Sequence, residues 1–427
     1  MIGAPVQTVD RIAGSSLSER TMLALVAAFA VIEGYDLSCY GVTVPAILAD
    51  ASMGADTSAA GTAGSLVAVG MMCGAALAGA IIGRVGPRML LLVGSGLFSA
   101  GMLVCGLAPS IGPFGLARLI VGVGLGVVLP TLTSYVAEVS SQDRRCRNVG
   151  LMMGGAAAGG VLAPLVAAAL LPGASWRWVY IAAAAPALIL VPLAARVLPE
   201  SPVHLRLSPA VGGLHFSCRG ELLGLRPLLA ARARAATGLF WAMSFCGLLL
   251  VFGISTWLPT IMRNSGYSLG SALLQTAVLW GGAGVGMVAG GRVADALGPK
   301  PVVAVAFGVG SLCLLALSLR PSLVVLFVLV FISGVGLIGS QVLVNAFMAT
   351  HFPDDLRGPG IGWALAVGRL GALLGPVLGG WILAWQLEMH WNFYLFAIPG
   401  VVGAIAAALM PTIRPPASIA GPRASST

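Results

Sequence analysis

Charged residues are scarce in this sequence, where they make up 9% of 427 residues. A soluble domain carries about 25% charged residues, because its surface has to stay hydrated. Hydrophobic residues reach 58% of the chain, and the mean hydropathy is +0.99. The shortage of charge excludes an ordinary soluble protein and predicts a polytopic membrane protein.

Motifs for metal, phosphate and nucleophilic chemistry are also missing. The seven cysteines form no CxxC pair, and the four histidines fall in loops or at the ends of apolar runs. Neither a Walker loop nor a Ser–His–Asp or Cys–His set is present. We therefore expect no metal site, no enzyme activity and no ATP-driven pump. The basic residues form no stripe interleaved with aromatics, so we expect no nucleic-acid partner.

Long apolar runs dominate the rest of the chain. A bilayer core about 30 Å thick needs roughly 20 apolar residues per helix, whereas a membrane β-barrel shows short alternating segments. The sequence therefore predicts an all-α membrane protein with twelve transmembrane helices. They are expected at 21–47, 58–82, 89–107, 112–136, 148–171, 177–197, 236–260, 270–293, 301–319, 322–349, 359–384 and 391–411.

The basic residues indicate the orientation of these spans. Of the 23 Lys and Arg residues, two lie well inside predicted spans and three lie in loops or at span ends on one side, which leaves 18 on the side of the termini. Cytoplasmic loops carry the excess of Lys and Arg in membrane proteins. We expect both termini to be cytoplasmic, and a monomer in the lipid bilayer of a bacterial-type inner membrane.

The sequence repeats itself at a fixed offset of 212 residues. This repeat predicts two pseudo-symmetric six-helix bundles at 1–197 and 236–427, joined by a cytoplasmic linker at 198–235. Transporters built from such repeats bind substrate near the membrane midplane, between the halves. The related pairs are Gly79 and Gly291, Gly83 and Asp295, Gly86 and Gly298, Pro87 and Pro299, Arg88 and Lys300, Asp143 and Asp355, Arg145 and Arg357, Gly159 and Gly371, and Pro164 and Pro376.

The loop after the second span, Gly79 to Arg88, resembles the loop signature of the major facilitator superfamily, Gly-x-x-x-Asp-Arg-x-Gly-Arg-Arg/Lys. It departs from that signature at Gly83, where an aspartate is usual, while the second copy keeps the acid as Asp295. The resemblance implies that charges near the cytoplasmic helix ends act as a gate. The residues expected there are Asp295, Arg84, Arg88, Glu138 and Arg145.

Three segments are similar to a narrower group, the aromatic acid:proton symporters of that superfamily. Glu33-Gly34-Tyr35-Asp36 resembles that family's Asp-Gly-x-Asp, with Glu33 in place of the first aspartate. The other two segments are 257–262 at the end of span seven and 360–376 in span eleven. The resemblance implies uptake of a small aromatic carboxylate, such as a hydroxybenzoate, for aromatic compound catabolism.

Four charged residues lie well inside predicted spans, away from the span ends: Glu33, Asp36, Arg118 and Arg369. Each charge costs about 2.5–3.5 kcal/mol at the centre of a membrane helix, so these side chains have to face one another or a wet cavity. Glu33 and Asp36 are i, i+3 neighbours, and carboxylates this close couple their titration. We predict that the two acids carry protons, with the proton as coupling ion and no cofactor. The alternative is a static ion-pair network that holds spans one, four and eleven together.

Candidate substrate ligands follow from the chemistry of an aromatic acid. The guanidinium groups of Arg118 and Arg369 suit a carboxylate, because they bind it through two parallel hydrogen bonds. The alternatives are a permanent salt bridge between Arg118 and the acids of span one, and a helix-interface role for Arg369. Flat apolar walls and a few polar groups would complete the pocket. Tyr35, Trp257 and Trp363 are candidate walls, though each could be packing, and Gln341 and Asn345 could bind a ring hydroxyl.

These observations predict a secondary active transporter that takes up an aromatic carboxylate with protons by alternating access. Two other functions stay open. A proton-coupled antiporter that exports drugs or aromatic metabolites would use the same fold and the same acids. A membrane sensor without transport would show no counterflow.

Overall fold

Long α-helices make up most of the protein in the computed structural model, which describes residues 19–140, 145–198, 225, 227–230 and 233–411. Within these residues twelve helices are long and apolar enough to cross a membrane. The predicted all-α fold and number of spans are therefore confirmed. The helices are α1 Glu19–Ala49, α2 Thr57–Val85, α3 Pro87–Leu107, α4 Ile111–Val139, α5 Arg145–Leu170, α6 Arg177–Val197, α7 Arg234–Asn264, α8 Leu269–Leu297, α9 Pro299–Leu317, α10 Leu323–His351, α11 Asp354–Ala384 and α12 Met389–Leu409.

Capping side chains and glycine turns separate consecutive helices. The Asp56 carboxylate accepts a hydrogen bond of 2.6 Å from the backbone N–H of Ala59 and caps the start of α2. Gly86 and Gly298 have φ angles of 84° and 85°, a conformation that favours glycine. Each is followed by a proline at the start of the next helix, α3 or α9. The two halves use the same turn at positions that the 212-residue offset relates.

Basic residues related by the same offset hold the third helix of each half to the sixth. Arg88, at the second position of α3, donates to the backbone oxygen of Ala195 near the end of α6. Lys300, at the second position of α9, donates through Nζ to the backbone oxygen of Met410 at 2.7 Å, just after α12. A cation at a helix C-terminus satisfies carbonyls that have no partner within the helix. This Arg88 contact lies within one half, and its gating role stays a prediction.

The two halves meet at the end of the bundle that carries the α1–α2, α7–α8 and α11–α12 loops, called the closed end below. A β-carbon added to Gly41 of α1 would lie 1.8 Å from the backbone oxygen of Ser255 in α7. A β-carbon added to Gly61 of α2 would lie 2.7 Å from a backbone oxygen of α11. The Ser65 hydroxyl of α2 also donates to the backbone oxygen of Leu373 in α11 at 2.7 Å. Only small residues permit such close approach of backbones.

Helix α10 contains a π-helical turn at Gly334–Ile338, between the α-helical segments Leu323–Ser333 and Ser340–His351. At Gly334 the helix approaches α8 so closely that an added β-carbon would lie 2.0 Å from the backbone oxygen of Leu279. Single π-turns inside α-helices occur frequently at functional sites. This one precedes the segment that carries Gln341 and Asn345.

Candidate functional site

Asp36 of α1 and Arg118 of α4 form a buried ion pair. The Arg118 Nη1 to Asp36 Oδ1 distance is 2.7 Å, and the two side chains are 3% and 0% exposed. The Arg118 guanidinium also lies over the Tyr40 ring, 5.0 Å from its centroid. An ion pair removed from water is expensive unless its geometry is good and other groups share the charge. Here a hydrogen bond and a cation–π contact both stabilise the guanidinium.

An aromatic cluster surrounds this pair on the side of the closed end. The Phe114 ring lies 5.8 Å from Tyr40 and 5.5 Å from Tyr180, centroid to centroid. Trp176 packs edge-on against both Phe114 and Tyr180. The Tyr40 hydroxyl donates to the backbone of Ala60 in α2. Sequence reasoning missed Phe114, Trp176 and Tyr180, because each looks like an ordinary packing residue until α4 and α6 are placed against α1.

Glu33 lies one turn before Asp36 in α1, and the two acids have different partners. Glu33 is 3% exposed, and its Oε2 atom has no hydrogen-bond partner among the described residues. The charges that act on it are those of Arg369 in α11 and Asp36. The i, i+3 spacing therefore placed the two acids on one face of α1 but did not show that Asp36 alone pairs with Arg118 of α4, while Glu33 has no ion pair among the described residues and is affected by the charge of Arg369.

Arg369 reaches from α11 in one half to α2 in the other. Its Nη1 lies 3.5 Å from the Met71 sulfur, and a thioether is a weak acceptor. Among the described residues no carboxylate lies within 4.0 Å of the guanidinium, although Glu33 acts on it electrostatically. Arg369 consequently keeps donors available at the interface between the halves.

Two of the predicted aromatic walls hold helices together. The Tyr35 hydroxyl donates to the backbone oxygen of Val179 in α6 at 3.0 Å. Trp257 is 0% exposed, and its Nε1 donates to the backbone oxygen of Pro376 in α11 at 2.8 Å. The contacts with Val179 and Pro376 give both side chains a packing role. Their assignment as substrate walls stays a prediction.

The remaining predicted ligands keep unused hydrogen-bonding groups. Gln341 is buried against Gly247 of α7, and neither its Oε1 nor its Nε2 has a partner among the described residues. The same holds for Oδ1 of Asn345, which is half-buried. Trp363 is also half-buried, with its ring 6.4 Å from that of Trp241. Buried amide atoms without partners are costly, and the assignment of Gln341 and Asn345 as substrate ligands stays a prediction.

The structure describes the side chains of only some of the residues predicted to form a gate at the helix ends. Asp295 is exposed in the last turn of α8. Arg84, Glu138 and Arg145 belong to helices α2, α4 and α5, but their side chains lie outside the described residues. The gating assignment stays a prediction for all of them.

Twelve membrane-length helices around a buried ion pair define a multi-pass membrane protein of the transporter class. The family model described as Major Facilitator Superfamily matches residues 26–358 and 269–426, and the chain belongs to that superfamily. It is a family of transporters rather than of enzymes. The first predicted resemblance is therefore confirmed.

Curated relatives confirm the narrower resemblance. The gentisate transporter of Corynebacterium glutamicum is 32% identical over 387 residues, which cover 90% of this chain and 85% of the relative. The benzoate transport protein of Acinetobacter baylyi is 32% identical over 402 residues, covering 88% and 86%. The gallate transporter of Pseudomonas putida is 30% identical over 430 residues, covering 95% of each.

Solved structures of other proteins have the same fold as this chain. The crystal structure of a D-xylose–proton symporter superposes with a TM-score of 0.75 at 18% identity, covering 92% of this chain and 97% of the other. A crystallised nucleoside transporter variant gives a TM-score of 0.71 at 16% identity, covering 91% and 99%. At such identities the likeness concerns the fold alone.

Proposed function

We propose that this protein takes up a small aromatic carboxylate together with protons, by alternating access of one site between its two halves. The observation that carries the proposal is the set of charges inside the membrane-length helices. Asp36 and Arg118 pair at 2.7 Å inside one half, Glu33 is buried, and the half-buried Arg369 acts on Glu33 electrostatically from the other half. The names of the relatives support an aromatic acid as substrate. No cofactor enters the proposal.

Arg369 is the better placed of the two arginines for the substrate carboxylate. Arg118 already has an anionic partner in Asp36 and lies over the Tyr40 ring, and its buried Nε has no hydrogen-bond partner among the described residues. Arg369 has a weak thioether partner in Met71, and it lies where the halves meet. A guanidinium with free donors gains more from a bidentate carboxylate than one that would first have to give up a partner. Arg118 then contributes when protonation of Asp36 weakens the pair.

The closed end faces outward if the termini are cytoplasmic, as the distribution of basic residues predicts. On that orientation the structure represents a state closed to the outside. In the proposed cycle, the acids take up protons from the outside, and protonation of Glu33 removes its electrostatic attraction for Arg369. The substrate carboxylate then binds Arg369 in place of Glu33. Proton loss inside then restores the attraction of Glu33 for Arg369 and expels the substrate.

Transport into proteoliposomes with uniformly oriented protein tests this function. Labelled 4-hydroxybenzoate is offered under an inward proton gradient, with benzoate, gentisate, protocatechuate and gallate as competitors. Protein-free liposomes correct for passive entry of the neutral acids. We expect accumulation that a protonophore abolishes and that Glu33→Gln eliminates. Loss of preloaded substrate under the same gradient would instead identify an exporter, and absence of any counterflow would favour a sensor.

A further inference from the structure

A small cavity lies inside the first half, between α1, α3, α4 and α6. Glu33 and Ser95 supply its polar lining, and the remaining walls are apolar. The cavity is separate from the Asp36–Arg118 pair and has no assigned role in the cycle above. The apolar lining residues are Phe29, Ile32, Phe98, Leu125, Val128 and Ala187.

Both polar side chains at this cavity have unused hydrogen-bonding capacity. Glu33 Oε2 and Ser95 Oγ are fully enclosed, and neither has a hydrogen-bond partner among the described residues. Ser95 is 2% exposed. A buried polar atom without a partner costs about 1–3 kcal/mol, so two around one cavity need an explanation.

The size of the cavity fits a single water molecule. The space open to the centre of a water is about 10 Å³, and a polar cavity needs roughly 10–15 Å³ of such space, with at least two polar partners. Glu33 and Ser95 provide those two partners. A ligand larger than a water molecule does not fit this space.

We propose that one water molecule in this cavity links the Ser95 hydroxyl to the Glu33 carboxyl, which makes Ser95 a positioning residue for the coupling proton. With Glu33 ionised, the water donates to the carboxylate and accepts from Ser95. With Glu33 protonated, the carboxyl donates to the water, and the water donates to Ser95. The hydroxyl rotates between these roles because it both donates and accepts. The proposal rests on the proposed function only in naming Glu33 as the proton carrier.

Glu33 also has charged and titratable neighbours outside the cavity, and the Ser95 substitution leaves them in place. Asp36 lies on the same helix and is paired with Arg118 of α4, and Arg369 approaches from α11. The titratable Tyr35 of α1 donates its hydroxyl to Val179. The residues that α3, α4 and α6 contribute to the cavity carry no charge. Removing the Ser95 hydroxyl therefore changes the hydration of Glu33 without removing a charged neighbour.

The pH profile of proton-driven uptake tests the proposal. Ser95→Ala removes a partner of the water that stabilises the Glu33 carboxylate, so half-maximal uptake is expected to move to higher pH by about one unit, a tenfold change in proton affinity. Ser95→Cys, with its weaker donor, is expected to fall between Ser95→Ala and the unaltered protein.

Ser99→Ala is the matched control, one turn along α3. Its hydroxyl donates to the backbone oxygen of Ser95 at 2.6 Å and has no place in the cavity lining. Its profile is expected to overlay that of the unaltered protein. A Ser95→Ala profile that also overlays it would overturn the proposal, as would an equal shift in Ser99→Ala. If Ser95→Ala fails to fold, a Ser95→Cys profile without a shift overturns it instead. Failure of the proposed function would appear separately, as uptake by the unaltered protein that ignores the proton gradient.

Discussion

At the scale of single residues, the Asp36–Arg118 pair contributes to stability as well as to transport. Asp36→Asn leaves the Arg118 guanidinium buried without its anionic partner, and breaking a buried pair in this way costs about 3–5 kcal/mol. We expect a clear loss of thermal stability in detergent. The double variant Asp36→Asn with Arg118→Gln removes both charges and should recover most of that stability without recovering uptake. Thermal unfolding that is unchanged in the single variant would contradict the buried pair.

Arg369 gives a prediction about affinity at the same scale. Arg369→Lys keeps the positive charge but loses the planar fork that binds a carboxylate bidentately. The KM for the aromatic acid is expected to rise about tenfold, equivalent to 1.4 kcal/mol. Initial rates over a range of substrate concentrations measure it. Arg292→Lys, an exposed position in α8, should leave KM unchanged, and an unchanged KM in Arg369→Lys would remove Arg369 from the site.

Sequence reasoning identified the four charges inside the spans and considered a salt bridge between Arg118 and the span-one acids, but it did not show which of the two acids forms the bridge. Hydropathy makes Glu33, Asp36, Arg118 and Arg369 conspicuous, because a charge inside an apolar run is rare. Which acid meets which base depends on where α4 and α11 lie against α1, and no spacing along the chain contains that information. The cavity at Ser95 was missed for the same reason, since a serine in a membrane helix gives no signal of its surroundings.

At the scale of secondary-structure elements, Asp50 connects the α1–α2 loop with the start of α6. Its carboxylate accepts from Ser52 and from Trp176 Nε1, the latter at 3.0 Å, and Arg177 Nη2 lies 4.0 Å away. These hydrogen bonds hold the pKa of Asp50 below its ordinary value, and the hydrogen bond from the Ser52 hydroxyl has the largest effect. The ionised form is thus favoured in the folded protein.

The stability that the Asp50 carboxylate contributes depends on pH. A depressed pKa adds stability above the ordinary value of about 3.9 and loses it as the pH falls through the folded value. We expect Asp50→Ala to lower the thermal unfolding temperature at neutral pH and to have less effect in the acidic range below that ordinary value. Unfolding measured from neutral to acidic pH checks this. A difference that is equally large at both ends would contradict a role of the charge.

Helix number was predictable, and helix irregularity was not. All twelve spans follow from apolar runs, although ends differ by a few residues; α7, for example, begins at Arg234 and not at 236. The π-turn at Gly334–Ile338 lies in an apolar stretch whose hydropathy is the same for either kind of helix. It depends on close packing against α8, which only the assembled bundle provides.

At the scale of the whole molecule, the glycines of the closed end determine whether that end can close. Gly41→Val would place side-chain atoms in the backbone of α7, since even a β-carbon would lie 1.8 Å from an oxygen there. The closed end should then open, and uptake should fall. Spin labels on Ser52→Cys and Gln386→Cys, in a background without the native cysteines, should move apart. Gly96→Val is the control, because nothing lies within 4 Å of a β-carbon at that position.

The distribution of the buried charges between the halves also decides where membrane voltage acts. Asp36 and Arg118 belong to one half, so while Asp36 is ionised they move together as a neutral pair, and the electric field does little net work on them. Arg369 belongs to the other half and interacts with Glu33 across the interface. A full charge that crossed the whole membrane would exchange about 2.3 kcal/mol per 100 mV with the field. The electrical sensitivity of the cycle should therefore come from displacement of Arg369 relative to Glu33 and from the charges of the bound proton and substrate.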